Sequence, residues 1–443
     1  MERTTVANLG ITPFDVQLRR ETQRHLWFSR FKGSITKEND YNNDPVLRAS
    51  GSPIEVNHKL KSLGIGDRLL IPMQKDLAGA PTLGDAVLIG REESTARAYA
   101  KVGYNQVRHA VVKLEGEMAN NREAALNAAQ YHMSDLARWH AMYENYNILT
   151  AIYEGASENL YTSKTNEDYG QGLGIPKRFH PNMYSFTGAT DGAAVLTRIG
   201  SIANKFPNAA EVYTAANAAT QNCRPMSTRT VKRARLLAMR LNIKPLVTES
   251  GLKFWPWLIT PEQAYSLMTD ETFVKALQAP AWSEHKTHPW LTGAIGYFGG
   301  FVFFEDVLSV RGFSGTSGTD LNVLGSVNLV ANEQDKTNPR FLPQLGHITC
   351  SNDATKSNNV GIIFGESFLG ESFHDALSFR TDDADYQNWK GLAAVTKYGY
   401  ERLDFVPESQ VSALEGTEAQ AAAITGVYNT SSLLIMTWEE TRS

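Results

Sequence analysis

The stretch "GESFLGES" puts Ser367 in a pattern one residue short of the nucleophile turn of serine hydrolases. That turn needs a second Gly two positions after the serine, to free the backbone, and residue 369 is Leu. A catalytic serine is therefore not expected. "EHKTH" sets His285 and His288 three apart, a spacing that would let two imidazoles share a metal on a helix. Pro280 and Pro289 bracket the pair, so a loop is expected and the histidines read as loop residues. "GQGLGIP", residues 170–176, runs into Pro176 and opens no helix that would aim its amides at a phosphate. Glu92 and Glu93 are adjacent, and neighbours on a strand face opposite ways, so they make no acid/base pair across one substrate. No catalytic residue, metal-ligand set or cofactor is expected.

The most concentrated charge lies in "TRTVKRARLLAMRLN", where Arg229, Lys232, Arg233, Arg235 and Arg240 follow one another with no acid between them. On a helix they form a candidate anion-facing patch. A solvated or intersubunit face is the plainer reading, and no aromatic residue interleaves to stack on single-stranded bases. The chain as a whole opposes phosphate: 43 Lys plus Arg against 47 Asp plus Glu give a net charge of −4 over 443 residues. Cys223 and Cys350 are too few for a disulfide framework. No run of ~18 apolar residues would span a membrane, and "MERTTVANLG" lacks the apolar core of a secretion signal. The triplet opened by Asn429 reads as a chance glycosylation pattern.

The elements that would position these residues are legible in outline. "FDVQLRRETQRHLWFSRF" puts Phe14, Leu18, Leu26 and Phe31 on one amphipathic helix, and the aperiodic stretch after it makes residues 1–62 an arm. "GDRLLIPM" and "STARAYAKVGYNQVRHAVVKLE" read as two long strands joined by the Gly-rich tip "LAGAPTLGD". Apolar and polar residues along the second strand never settle into one buried face, and a two-stranded ribbon is marginal in water unless another surface covers it. Residues 117–153 read as one helix ending at Gly155, because Leu126, Ala129, Met133, Leu136, His140 and Tyr143 recur three and four apart. His140 falls on that apolar stripe and is expected to be a packed core histidine.

Residues 156 to about 380 have α/β character. The basic helix is followed by a strand at "FWPWLI" and a helix with Thr260 as N-cap, Pro261 in its first turn and Gln263 completing a capping box. "GYFGGFVFFEDVLSV" gives a Gly-rich turn and a buried strand, and residues 312–340 read as a surface loop or insertion. "DYQNWKGLAAVTKYGYERLDF" and "GVYNTSSLLIMTW" each suggest a further strand. From Glu401 onward seven acids stand against Arg402 and Arg442, so the tail avoids phosphate.

This order of parts resembles the major capsid protein of tailed bacteriophages, with its Hong Kong-type α+β fold. Within that family it is similar to the N-four-like podovirus coat proteins, through "GIGDRLLIPM", "LIGREESTARAYAKVGYNQVRHAV", "LARWHAMYENYNILTAIYEG", "WLITPEQAYSLMTDETF", "PWLTGAIGYFGGFVFFE" and "GIIFGESFLGESF", in serial order from about residue 54 to 406. The resemblance implies an N-terminal arm over 1–62, an extended β-hairpin loop over 63–115, and a spine helix with peripheral domain over 116–204. It implies an axial domain over 205–380, and return strands with a C-terminal tail over 381–443.

The resemblance implies a structural protein that forms hexamers and pentamers of an icosahedral head around double-stranded DNA, assembled in the host cytoplasm and carried in the virion. Portal and scaffolding proteins, a decoration protein and packaged DNA are the implied partners, with no membrane. The ribbon would then lie across a neighbouring subunit. Gly79, Gly84 and Gly90 would bend its tip, and Arg91, Glu92, Glu93 and Arg108 would stand as intersubunit charge partners. Lys75 and Lys101 lie in this loop, where some such capsids join Lys to a neighbour's Asn. The competing readings are a tail or decoration protein and a soluble α/β hydrolase.

Overall fold

Uninterrupted three- and four-residue spacing produces a helix over Arg122–Glu154, 33 residues long and so about 50 Å from end to end. It ends where Gly155 takes φ 93°, a left-handed conformation that glycine adopts without a Cβ penalty. In the computed structural model the described residues are 13–32, 53–57, 69–74, 81–84, 97–114, 122–160, 175–188, 190–200, 204–217, 224–247, 253–277, 293–305, 330–332, 335–340, 349–350, 353–384, 389–415 and 418–440.

Among the described residues the strands are, in chain order, β1 (Ile54–Asn57), β2 (Leu69–Gln74), β3 (Arg97–Val102), β4 (Asn105–Leu114), β5 (Met183–Thr187), β6 (Val195–Arg198), β7 (Leu246–Val247), β8 (Lys253–Ile259), β9 (Ala294–Phe298), β10 (Phe301–Glu305), β11 (Val330–Asn332), β12 (Asp335–Arg340), β13 (Thr349–Cys350), β14 (Asp353–Phe364), β15 (Leu369–Ala384), β16 (Trp389–Arg402) and β17 (Ser432–Glu440). The large sheet runs β6-β5-β17-β14-β8-β10-β9, with β13 added to β14 and β7 to β8. A second sheet runs β1-β15-β16-β4.

Strand alternation gives the large sheet two apolar faces. Phe301, Phe303, Leu433 and Ile435 point to one, under the basic helix Thr228–Arg240 and the helices Pro261–Thr269 and Glu271–Leu277. Val302, Phe304, Leu434 and Met436 point to the other, against Ile148, Leu149 and Ile152 of the long helix. The capping box at Thr260 forms as expected: Gln263 N–H donates to Thr260 Oγ1 at 3.3 Å, and Thr260 N–H to Gln263 Oε1 at 3.2 Å. His140 is buried in the core, its Nε2–H donating to the Ala394 carbonyl at 3.2 Å, and burial first of all pushes its pKa down to about 4.

The arm differs from the single helix expected. Its α-helix spans Pro13–His25, and Leu26 turns to φ −77°, ψ 106° before a 3-10 turn over Trp27–Phe31. The change of winding swings Phe31 edge-on to Phe304 and Phe364, at ring distances of 5.8 Å and 5.0 Å. A straight α-helix would carry those rings away from the sheet. Leu18 is buried among Met133, Leu136, Ala137, Leu377 and Ala394. The β15–β16 register shifts between Phe373 and Asp375 and again between Asp375 and Ser378, and bulges of this kind withdraw backbone groups from the ladder. Asp15 Oδ1 accepts from Phe379 N–H at 2.6 Å, and Arg19 Nε donates to the Leu377 carbonyl at 2.8 Å. Asp15→Ala is expected to cost about 1.5–3 kcal/mol, the range for a hydrogen bond to a charged group. Amide exchange should then quicken at Phe379 and along the arm helix; unchanged exchange at both would show the contact to be incidental.

The single strand read through "STARAYAKVGYNQVRHAVVKLE" is two strands in different sheets: β3 pairs with β2, and β4 pairs with β16. The break falls at Gly103 and Tyr104, where Gly103 N–H donates to buried Glu401 at 3.2 Å and its carbonyl lies against Gly399. A Cβ on Gly399 would sit 2.2 Å from that oxygen, so the approach requires glycine. Within 312–340, read as a loop, β11 and β12 form an antiparallel pair; the small polar residues there mask strand character because they give no apolar alternation.

Candidate functional site

Ser367 has φ 52° in the turn between β14 and β15, and its hydroxyl donates to Glu55. Strand follows the turn, whereas a nucleophile elbow leads from strand into helix. A Ser–His contact does exist: His180 Nε2 lies 2.8 Å from Ser432 Oγ. Its polarity is wrong for a general base. Asn182 N–H donates to His180 Nδ1 at 3.0 Å, so the ring proton sits on Nε2 and is donated toward the serine. Burial and then the nearby Arg402 charge hold the imidazole neutral, well below its usual pKa. Ser432 Oγ in turn donates to Asn429 Oδ1 at 3.1 Å.

Asn429 is a structural side chain and is 3% exposed; its Nδ2 donates to Asp404 at 2.8 Å. His285, His288 and residues 170–174 lie outside the described residues. Among the described residues no group of three or more His, Cys, Asp or Glu is placed to hold a metal. No helix among them is long and apolar enough to cross a membrane.

What the fold builds instead are polar anchors between distant segments. Lys32 Nζ donates to Glu144, to Glu371 at 3.1 Å and to Tyr400 Oη at 2.6 Å. Tyr400 Oη donates to Glu144 at 2.6 Å. The arm is thereby tied to the long helix, β15 and β16. Burial pulls the Lys32 ammonium down, but the two carboxylates outweigh it and hold it above its ordinary value. Burial pushes the Glu371 carboxyl up, with Lys32 opposing and Glu144 adding to the rise. Four residues from four distant stretches of sequence make this cluster, which no local spacing announces.

The ribbon β2–β3 pairs from Leu69 with Val102 to Gln74 with Arg97, as a sheet of two strands. At its base Ala100 and Val102 are buried with Leu403, and Tyr104 stacks on His374 at 4.8 Å. The Glu401 carboxylate that holds Gly103 is itself paired with Arg178 at 3.2 Å, both nearly fully buried. At the tip Gly84 has φ 65° with nothing within 4 Å of its missing Cβ, and Leu83 is 79% exposed. Gly79, Gly90, Arg91, Glu92, Glu93 and Lys75 lie outside the described residues. Arg108 is exposed, and it sits on β4 opposite Val395 in the four-stranded sheet, apart from the ribbon.

The basic helix buries Val231, Ala234 and Ala238 and exposes Lys232, Arg233, Arg235 and Arg240. Arg229 is turned aside, its Nε donating to the Ala194 carbonyl at 3.3 Å. Asp270 closes the helix start by accepting from Thr228 N–H at 2.9 Å and Thr228 Oγ1 at 2.8 Å. Burial raises the Asp270 carboxyl, but these bonds and those from the Thr272 and Phe273 amides outweigh it and hold it below its ordinary value.

No curated protein sequence matches the chain. The capsid of Ralstonia phage GP4 superposes with a TM-score of 0.56 at 18% identity, over 94% of this chain and 92% of that one. A chain of the cyanophage Pam1 capsid asymmetric unit gives 0.51 at 12% identity, over 100% and 96%. One from the capsid of Helicobacter pylori bacteriophage KHP30 gives 0.50 at 10%, over 87% and 88%. These likenesses establish a shared Hong Kong-type α+β fold. The family described as phage capsid protein matches residues 27–428, nearly the whole length, so the chain belongs to the phage capsid protein family as a structural major capsid protein.

Proposed function

We propose that copies of this chain assemble into the hexamers and pentamers of an icosahedral head enclosing the double-stranded DNA of a tailed phage, in the N-four-like podovirus branch. The observation that carries the reading is the ribbon: a sheet of two strands, with an exposed Leu83 at the tip and a buried base, stands on a chain of the capsid family. Two strands alone are marginal, so a neighbouring copy is the cover that completes them.

In this reading residues 1–62 are the arm, 63–115 the extended loop, and 116–204 the spine helix with the peripheral domain. The axial domain takes 205–380, and 381–443 the return strands and tail, whose last strand β17 runs back between β5 and β14. Gly79, Gly84 and Gly90 bend the loop tip, and Arg91, Glu92, Glu93 and Arg108 face the neighbour. The net charge of −4 suits a container that must release its DNA, since strong phosphate binding would oppose ejection. Portal, scaffolding and decoration proteins are the expected partners, with assembly in the host cytoplasm. The role is structural and calls for no chemistry of its own.

Negative-stain electron microscopy with sedimentation velocity tests the reading. Uniform shells, or rings of five and six subunits, are the expected result. A monomer that stays monomeric with scaffold and crowding agent present would overturn it.

A further inference from the structure

The arm is tied to the body at its two ends. A helix of 13 residues is marginal in water on its own, so Pro13–His25 depends on what holds it. At one end Asp15 and Arg19 take up the Phe379 amide and the Leu377 carbonyl beside the bulges of β15. At the other end Lys32 makes an isolated bridge to Ile54 and sends its ammonium between Glu144 and Glu371. Between these ends the outward side of the helix is exposed at Val16 and Arg24.

The Lys32 end carries an imbalance of charge. The Lys32 and Glu144 side chains are 19% and 15% exposed and that of Glu371 is 4% exposed, so the three groups share a nearly dry site. One ammonium does not neutralise two ionised carboxylates, and a surplus buried charge is costly unless a proton removes it. The titratable groups that face the site supply no second cation. On β16, burial first of all and then Glu144 keep the Tyr398 and Tyr400 hydroxyls protonated. On the long helix, Tyr143 adds to the rise at Tyr398, and His140 is neutral above about pH 4. On β1, Glu55 is engaged by Ser367. Tyr400 Oη donates to Glu144 at 2.6 Å, which leaves Glu371 as the carboxyl that takes the proton.

We propose that residues 13–32 form a strap whose latch is one proton held within the Lys32–Glu144–Glu371 site: with the proton the site is neutral and the strap is closed, and without it the surplus negative charge loosens the strap. A carboxyl that keeps its proton to higher pH in the folded state than in the unfolded chain stabilises the fold below its unfolded pKa. That contribution is lost as pH rises through the folded value. Glu371 is such a group, and the raised Lys32 ammonium acts with the same sign. The latch therefore holds in mild acid and gives way toward alkaline pH. Release uncovers the seat of Leu18 among Met133, Leu136, Ala137, Leu377 and Ala394, an apolar surface of the kind that takes another chain. The device belongs to the single subunit and does not depend on the capsid reading.

Hydrogen exchange of the full-length chain at pH 5 and pH 8, corrected for the intrinsic pH dependence of exchange, tests the proposal. Protection of residues 13–32 should fall about tenfold or more between the two, the change that accompanies each pH unit by which the carboxyl is raised. The basic helix Thr228–Arg240 reports the stability of the subunit as a whole, and the arm should lose more protection than it does. Glu371→Gln keeps an oxygen for Lys32 with nothing to ionise, and Glu144→Gln removes the surplus charge from the other side. Each should leave arm protection nearly equal at the two pH values, while Lys32→Met should weaken it at both. In the unaltered chain, no loss at the arm, or a loss equal to that of the basic helix, overturns the proposal without any variant. An arm that loses protection as steeply in either glutamine variant as in the parent overturns it too.

Discussion

Arg402→Met is expected to destabilise the subunit by about 3–5 kcal/mol, the range for breaking a buried ion pair from one side. The Arg402 side chain is fully buried, and its Nε donates to both oxygens of Asp404, at 3.0 and 2.9 Å. Its Nη1 reaches the Ile152 and Tyr153 carbonyls at 2.7 and 3.4 Å, and Nη2 the Arg178 and Phe179 carbonyls at 3.1 and 3.5 Å. One guanidinium therefore neutralises a buried carboxylate, fills the last carbonyls of the long helix and ties in the 178–179 segment. Methionine keeps much of the apolar stem. It leaves Asp404 with Asn429 but no cation, and it strips donors from a helix C-terminus that also favours positive charge.

Lysine would restore the charge without the planar fork, so Arg402→Lys should fall between the two. Urea unfolding gives the free energy, and hydrogen exchange should show the last turn of the long helix opening first. A loss below about 1 kcal/mol, the range of exposed pairs, would show that the network relaxes around the vacancy and that Arg402 does not hold the helix end.

That network also marks where the sequence stops being informative. The long helix, its stop at Gly155, the Thr260 capping box, the basic helix, "FWPWLI" as β8 and "SSLLIMTW" within β17 rest on spacing and propensity within a few residues, and the structure contains them. Arg402 meets Ile152 across 250 positions, and Lys32 meets Glu371 across 339. Neither pairing leaves a local trace. The break at Gly103 is similar: both halves of the strand have ordinary strand composition, and the bend comes from a glycine–glycine approach across the sheet. Leu26 and Phe31 keep helical spacing from Leu18, so the sequence could not show that aromatic packing on Phe304 and Phe364 would outweigh continued α-winding. The unsettled alternation of the ribbon was informative in another way. Failure to define one buried face is what a segment shows when its cover comes from outside its own core.

Glu439→Gln is expected to flatten the pH dependence of stability and to make the subunit more stable at alkaline pH. Glu439 is buried near the end of β17, where it accepts from Met226 N–H at 2.8 Å and from Ser266 Oγ. Burial pushes its carboxyl up to about 7, against those hydrogen bonds and with a further rise from Glu262. In the unfolded chain the same group ionises near 4.3, so between roughly pH 4.3 and 7 the folded state keeps a proton that the unfolded state has released. The folded pKa lies above the unfolded one. Its contribution to stability is therefore fully present below about pH 4 and is lost as pH rises through 7, a swing of about 4 kcal/mol. Glu371, also raised by burial, adds a slope of the same sign, so the informative quantity is the difference between variant and parent. Glutamine keeps an oxygen for Met226 N–H and offers an amide to Ser266, with nothing to ionise. Urea midpoints at pH 5 and pH 8 should fall with pH in the parent and much less in the variant, the two diverging most at pH 8. Equal slopes would mean that Glu439 is solvated in solution and titrates as an ordinary carboxylate. A variant weaker than its parent at every pH would mean that the buried carboxylate itself, in its charged form, holds Met226 and Ser266 in place.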